Sequence, residues 1–288
     1  MKKAAVIFLS ASIFLFVLIF FEYIKFNDGK LHIVVCNVGQ GDAIFIMTPD
    51  NSDILIDGGP GKKVLDCLSR NMPFWDRSLD AVILTHPDAD HAAGLIDVID
   101  RYRVNTYYRS GADSNTQIYA LLTSKIADKK LSAKNLSSGN NLKDSSGVNI
   151  EILSPRLNEV EKIDQNSADS HLNALSVVAL LTFGNFSALF TGDAEEEVLD
   201  RIISDAGLLS VLKVPHHGSK GGISEDFLIR TQPDIAVISA GKNNRFGHPA
   251  KEILDFLKKH GIKTLRTDLE GEVKIISDGK TWLVTTDY

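Results

Sequence analysis

Apolar residues follow two regimes along the chain. From Ala4 to Phe21 they run without a charged residue, broken only by Ser10 and Ser12, so a helix there has no polar face. From Leu31 onward, short apolar stretches alternate with segments whose apolar positions recur every three or four residues, the pattern of strands interleaved with amphipathic helices. Residues 31–35, 43–47 and 53–56 read as consecutive strands, with the turn formers Pro49, Asp50, Asn51 and Ser52 between the last two. Residues 62–71 and 93–102 read as helices flanking a buried strand at Val82-Ile83-Leu84. A second series predicts strands near Ile150 and at 176–182, 186–191, 211–214 and 234–238, with helices at 195–204, 225–230 and 250–260. Strands at 263–265, 272–276 and 281–284 close the chain, and the order supports a mixed α/β fold. The polar stretch 128–149 reads as surface connection, and 155–171 as a mobile loop at a site entrance.

The N-terminal run changes the picture from a simple globular chain. Its 18 residues, at about 1.5 Å each, nearly cross a hydrocarbon layer of roughly 30 Å. A cleavable signal would end in small residues, whereas this run ends Leu18-Ile19-Phe20-Phe21-Glu22-Tyr23, so an uncleaved anchor is favoured over a signal peptide. Lys2 and Lys3 place the N-terminus inside, Tyr23 suits the far interface, and the remainder is expected outside the cytoplasm. The division is thus 1–27 as membrane anchor and 28–288 as one domain. The composition of the whole chain, 44% hydrophobic and 24% charged, is that of a globular protein. A formal charge of −6 argues against broad electrostatic capture of nucleic acid, so a polynucleotide substrate would need a local basic groove. Cys36 lies in a strand-like run and Cys67 in a helical pattern, and two buried free thiols are expected rather than a disulfide or a metal pair.

His86, Asp88, Asp90 and His91 place four metal-capable side chains within six positions at a strand-to-helix turn. Either aspartate could simply cap the helix. That reading leaves unexplained Asp193, which closes the apolar run 186–192, and the tandem His216-His217, which closes 211–215. Three strand ends offering hard or borderline ligands point to a binuclear metal site. Hydrolysis there requires ligands that stay deprotonated near neutral pH and an open coordination position.

These residues also carry a resemblance. The stretches Asn37-Val38-Gly39-Gln40-Gly41-Asp42-Ala43, Ile54 to Gly59, His86 to His91, Leu189 to Asp193, Lys213 to Ser219 and Gly241 to Pro249 occur in an order that resembles the metallo-β-lactamase superfamily, within it the hydrolase domain of ComEC-type competence (DNA-uptake) proteins. The resemblance implies an αββα sandwich. It assigns His86 and Asp88 to one divalent ion, Asp90 and His91 to a second, and Asp193 as the carboxylate bridging them. His216 is taken as a further ligand, with His217 the alternative. His171 stands as a candidate ligand, although Asn173 and Ser176 match the ComEC-like pattern at that point better. Aspartate at position 88, where most of the superfamily has histidine, hardens the site and extends its tolerance from Zn²⁺ to Mn²⁺. Asp57, before Gly58-Gly59, is expected to hold a ligand histidine by a hydrogen bond. Asp90 and His248 are counted as catalytic, His248 as proton donor or phosphate contact, with Lys242, Asn243 and Arg245 as phosphate-binding candidates. Asn37 departs from the family's aspartate.

The resulting expectation is a two-metal phosphodiesterase or nuclease on a single anchor, with single-stranded DNA the favoured substrate. Hydrolysis of a small ester, lactam or phosphocholine-type group is a second reading, and a non-catalytic metal-binding module of an envelope assembly is a third.

Overall fold

The computed structural model describes residues 2–160 and 172–287. His171 and most of the expected entrance loop therefore lie outside the described residues, while residues Leu157–Val160 at its start form one helical turn. The first helix, α1 (Lys2–Phe26), contains a 20-residue segment, Ile7–Phe26, long and apolar enough to cross a membrane, with mean hydropathy 2.4. Its large apolar side chains from Ile7 to Ile24 are exposed, whereas Phe26 is buried in the core beside Val34 and Phe45.

Fifteen strands among the described residues form two sheets. The first contains β1 (Leu31–Val35), β2 (Ile44–Met47), β3 (Asp53–Ile56), β4 (Ser78–Leu84), β5 (Arg103–Arg109), β6 (Ser132–Asn135), β14 (Val273–Ser277) and β15 (Trp282–Thr286), in the order β15-β14-β1-β2-β3-β4-β5-β6. The second contains β7 (Asn141–Lys143), β8 (Asn149–Ser154), β9 (Val178–Phe183), β10 (Phe186–Phe190), β11 (Val211–Lys213), β12 (Ile235–Ile238) and β13 (Lys263–Arg266), in the order β13-β12-β11-β10-β9-β8-β7. Strands of the inner layer are apolar on both faces, and the period of two sends alternate residues to different cores. Ala81 and Ile83 enter the layer between the sheets, while Val82 and Leu84 meet the helices α2 (Lys63–Asn71), α3 (Ala89–Arg101) and α4 (Gln117–Asp128). Across the sandwich, Ile235 and Val237 point inward, while Ala236 and Ile238 meet the helices at Glu196–Ala206, Glu225–Thr231 and Lys251–Lys259. The result is the αββα layering.

Three expectations are corrected. The polar stretch 128–149 carries β6 and β7, one at the edge of each sheet; their residues are mostly exposed, so no apolar alternation marks them. The third helix starts at Ala89 rather than Ala93, which puts Asp90 and His91 inside its first turn. Cys36 and Cys67 are joined in a disulfide and are not free thiols. Both are buried as expected, but the packing of α2 over the end of β1 brings them together, and no sequence pattern reports that approach.

Candidate metal centre

Parallel strands order the site. β3, β4 and β5 run parallel in one sheet, and β10, β11, β12 and β13 in the other, so their C-terminal ends deliver Asp57, His86, Asp193, His217 and Ser239 to one edge of the sandwich. The turn from β4 into α3 is held by close backbone contact. Gly94 N donates to Gly59 O at 2.9 Å and Gly58 N to His91 O at 2.7 Å, and a Cβ on Gly94 would stand 1.9 Å from Gly58 O. Only glycine admits that approach. It places the Asp57 carboxylate beneath the His91 ring.

Asp57 is fully engaged there. Its Oδ1 accepts from Thr85 N at 2.8 Å, and its Oδ2 accepts from Thr85 Oγ1 at 2.7 Å and faces His91 Nδ1 at 2.7 Å. His91 Nε2 then points to Asp193 Oδ1 at 3.2 Å. His86 is also fully buried, with Nδ1 3.0 Å from Thr85 Oγ1 and Nε2 3.6 Å from Asp88 Oδ2 and 3.9 Å from Asp193 Oδ2. Asp88 occupies the N-cap position of α3 but its side chain makes no capping hydrogen bond, so the carboxylate faces His86 instead. Ser176 Oγ accepts from Asp193 N at 3.3 Å and fixes the loop that carries that aspartate.

The tandem histidines are separated by their backbone. His216 and His217 both adopt left-handed conformations, with φ of 46° and 56°, in a tight turn between Pro215 and Gly218. Two consecutive non-glycine residues in that region cost energy and direct their rings in different directions. His217 is buried, with Nδ1 3.0 Å from Ser239 O and Nε2 3.3 Å from Asp90 Oδ2 and 3.5 Å from Asp193 Oδ2. His216 sits at the rim with Nδ1 3.1 Å from Glu195 Oε1 and Nε2 3.7 Å from Asp193 Oδ2. His86, His91 and Asp193 offer ligand atoms within 4.8 Å of one another, as do Asp90, His91 and His217, and also Asp42, Asp193 and His217.

This donor set fits a divalent cation on the structure's own terms. Nε2 of His86, His91 and His217 and Oδ1 of Asp193 are all buried without a hydrogen-bond partner among the described residues. Buried polar atoms that converge without partners are costly unless a cation satisfies them. Without one, protons take its place. Burial alone would lower His217 and His91, but Asp193 outweighs it, aided by Asp42 at His217, which is raised to about 9, and by Asp57 at His91, which is held well above its ordinary value. Burial would raise Asp193, yet His217 and His91 keep it well below the usual carboxylate range. A cation held by these residues would have to displace the imidazole protons.

Beside this cluster lies the loop from Gly241 to His248. Asn244 secures it, donating from Nδ2 to Gly241 O at 2.9 Å and accepting from His248 N at 3.0 Å. The His248 ring stands 5.5 Å from that of His216 and 6.4 Å from that of His217, centroid to centroid. Gln40 Oε1 accepts from Gly241 N at 3.1 Å, which leaves Gln40 Nε2 to donate to His248 Nδ1 at 3.5 Å and the His248 proton on Nε2. Burial lowers His248 from its ordinary value, and His216 and His217 reinforce the shift. Lys242, Asn243 and Arg245 are exposed on the same loop, and the Arg245 guanidinium lies 4.9 Å from the centroid of the exposed Phe246 ring. Phe246 in turn stacks on His248 at 5.8 Å. Sequence reasoning gave no role to Asp42 or Lys213, which form a buried ion pair at 2.7 Å behind His217. The available signal was a lysine inside the apolar run Val211-Leu212-Lys213-Val214.

The fold and this edge of donors define the class: the chain belongs to the metallo-β-lactamase superfamily, whose family model matches residues 36–242. It is a metal-dependent hydrolase. Among individual proteins it is similar to ComE operon protein 3 of Bacillus subtilis (strain 168), 30% identical over 278 residues, which covers 86% of this chain and 33% of that protein. It is also similar to competence protein ComA of Neisseria gonorrhoeae, 29% identical over 254 residues, covering 86% of this chain and 32% of that one. The chain thus spans about a third of the length of these competence relatives. Among solved structures, Zn(2+)-bound PqqB from Methylobacterium extorquens shares the fold, with a TM-score of 0.54 and 12% identity over 82% of this chain and 97% of that one.

Proposed function

We propose that this protein is a two-metal phosphodiesterase that cleaves single-stranded nucleic acid outside the cytoplasm while held to the membrane by α1. The observation that carries the reading is the set of buried, unpartnered donors His86, His91, His217 and Asp193 beside a loop that presents Lys242, Arg245, Phe246 and His248. The likeness to ComE operon protein 3 and to a competence protein supports nucleic acid as the substrate. The Phe246 ring supports it independently, because an exposed aromatic beside a cation is what stacks an unpaired base.

In this reading His86, Asp88 and Asp193 would hold one ion, Asp90, His91 and His217 would hold the other, and both would draw on Asp193. His217 replaces His216 as the ligand because its Nε2 lies in the buried group, while His216 is engaged by Glu195 at the rim. Three aspartates among the ligands suit Mn²⁺ as well as Zn²⁺. The ions would supply Lewis-acid polarisation of the phosphoryl group and activation of water near neutral pH. Asp57 holds His91 in the tautomer that leaves Nε2 bare. Lys242 and Arg245 draw the diester into reach and neutralise its charge, and Asn243 extends that polar rim. His248, neutral at pH 7, presents its Nε2–H to a phosphate or leaving-group oxygen.

The test assays residues 28–288, loaded with Zn²⁺ or Mn²⁺, against labelled single strands, a small phosphodiester and a lactam. Cleavage of strands is expected. Turnover of the lactam or the small phosphodiester alone would transfer the site to small substrates, a reading the net charge of −6 favours. No turnover of any substrate would leave a metal-binding module. Within the same assay, His248→Ala is expected to lower phosphodiester turnover roughly a hundredfold with metal content unchanged. Loss of an ion in that variant would instead make His248 a ligand.

A further inference from the structure

We propose that Asp42 and Lys213 form a buried brace that positions the His217 ring, with Lys213 fixing the Asp42 carboxylate and Asp42 fixing His217 Nδ1 so that Nε2 faces the metal position. The inference rests on the reading of His217 as a ligand. Lys213 is 1% exposed on a three-residue strand, and its Nζ lies 2.7 Å from Asp42 Oδ2 and donates to Val214 O at 3.0 Å. A buried ion pair is a poor source of stability, since desolvating both charges offsets most of their attraction. An apolar residue, like its neighbours Leu212 and Val214, would fill the position at no such cost. What the pair does provide is a fixed carboxylate oxygen in the interior. Asp42 Oδ1, which has no other hydrogen-bond partner among the described residues, lies 3.3 Å from His217 Nδ1.

The loop carrying Asp42 touches the site on both sides. Ser239 Oγ donates to Gly41 O at 2.7 Å, Ser239 O faces His217 Nδ1 at 3.0 Å, and Asp42 N donates to Asp90 O at 3.3 Å. A Cβ on Gly41 would stand 2.2 Å from Asp90 O, so the loop is seated against the first turn of α3. Two acceptors, one carbonyl and one carboxylate, therefore converge on the same ring nitrogen. A carbonyl can only accept, which puts the hydrogen on Nδ1 and leaves Nε2 as the ligand atom. With only Ser239 the ring could swing about that one bond; the carboxylate fixes its plane, and Lys213 keeps the carboxylate from rotating away.

The decisive variant is the double substitution Asp42→Asn with Lys213→Met, which removes both charges and retains approximate shape. Thermal unfolding of the metal-free protein and zinc affinity by competition with a chelator are read in parallel. The expected result is a metal-free midpoint near that of the parent and a roughly ten- to hundredfold weaker affinity for one of the ions, the loss typical when the partner of a metal-ligating histidine is removed. Parental affinity for both ions in the folded double variant would overturn the brace and leave the pair a packing element. If the double variant does not fold, Asp42→Asn alone decides, because it keeps an acceptor for Lys213 and withdraws the charge from His217; weakened affinity supports the brace and parental affinity overturns it. His217→Ala separates this inference from the reading beneath it. That variant is expected to lose one ion, and retention of both would overturn the ligand assignment whatever Asp42 and Lys213 do.

Discussion

Asp193→Ala is expected to empty both metal positions and to reduce hydrolysis on the order of a thousandfold, the several kcal/mol of barrier that metal chemistry supplies. Among the described residues, no other carboxylate reaches as many of the buried rings. Its Oδ1 lies 3.2 Å from His91 Nε2, and its Oδ2 lies 3.5 Å from His217 Nε2 and 3.9 Å from His86 Nε2. Removing it therefore withdraws a ligand from each side at once and leaves three buried imidazoles without the anion they face. The remaining carboxylates do not compensate, because Asp88 meets only the His86 side and Asp90 only the His217 side. Elemental analysis of the variant after loading and dialysis checks this directly. Full occupancy would show that the two positions do not share Asp193, and loss of one ion alone would assign it to a single position.

The part of the site on β4 and α3 is legible in the sequence because it is local. Four donors in six residues must come together whatever the rest of the chain does, and the strand-to-helix turn that aims them is visible in Val82-Ile83-Leu84 and the glycine-containing helix that follows. Asp57 was legible for a related reason, since an aspartate before two glycines at a strand end can hold a left-handed backbone, here φ 59°, and turn back toward its neighbour strand. The different placement of His216 at the rim and His217 in the interior was not legible. Adjacent identical side chains differ only through backbone dihedrals, and both residues sit in a region that sequence gives no reason to expect for histidine. Asp42 and Lys213 lie 171 positions apart and meet only because the loop after β1 and the end of β11 face each other across the two sheets. The interior strands, apolar on both faces, announced themselves; β6 and β7, polar and exposed at the sheet edges, had no pattern to show.

The Cys36–Cys67 pair escapes the sequence in the same way, because only the packing of α2 over the end of β1 brings the two residues together. The bond closes a loop with a sequence separation of 31, which encloses β2, β3 and the first half of α2. Restricting that loop in the unfolded chain is worth roughly 3–4 kcal/mol by the chain-entropy relation. Replacing both cysteines with alanine is therefore expected to lower the unfolding free energy of the domain by at least that amount, with the lost side-chain packing added, in a denaturant titration. Because both sulfurs are buried, reductant should act on the folded parent only slowly and as fast as the domain opens. The bond also bears on where the domain resides. Disulfides persist in oxidising compartments and are scarce where thiols are kept reduced, so a structural pair supports the proposal that the domain lies outside the cytoplasm. Trapping thiols in intact cells before lysis is expected to recover Cys36 and Cys67 joined. Recovery of both as blocked thiols would place the domain on the cytoplasmic face, and the substrates open to its metal site would then be those of the cell interior.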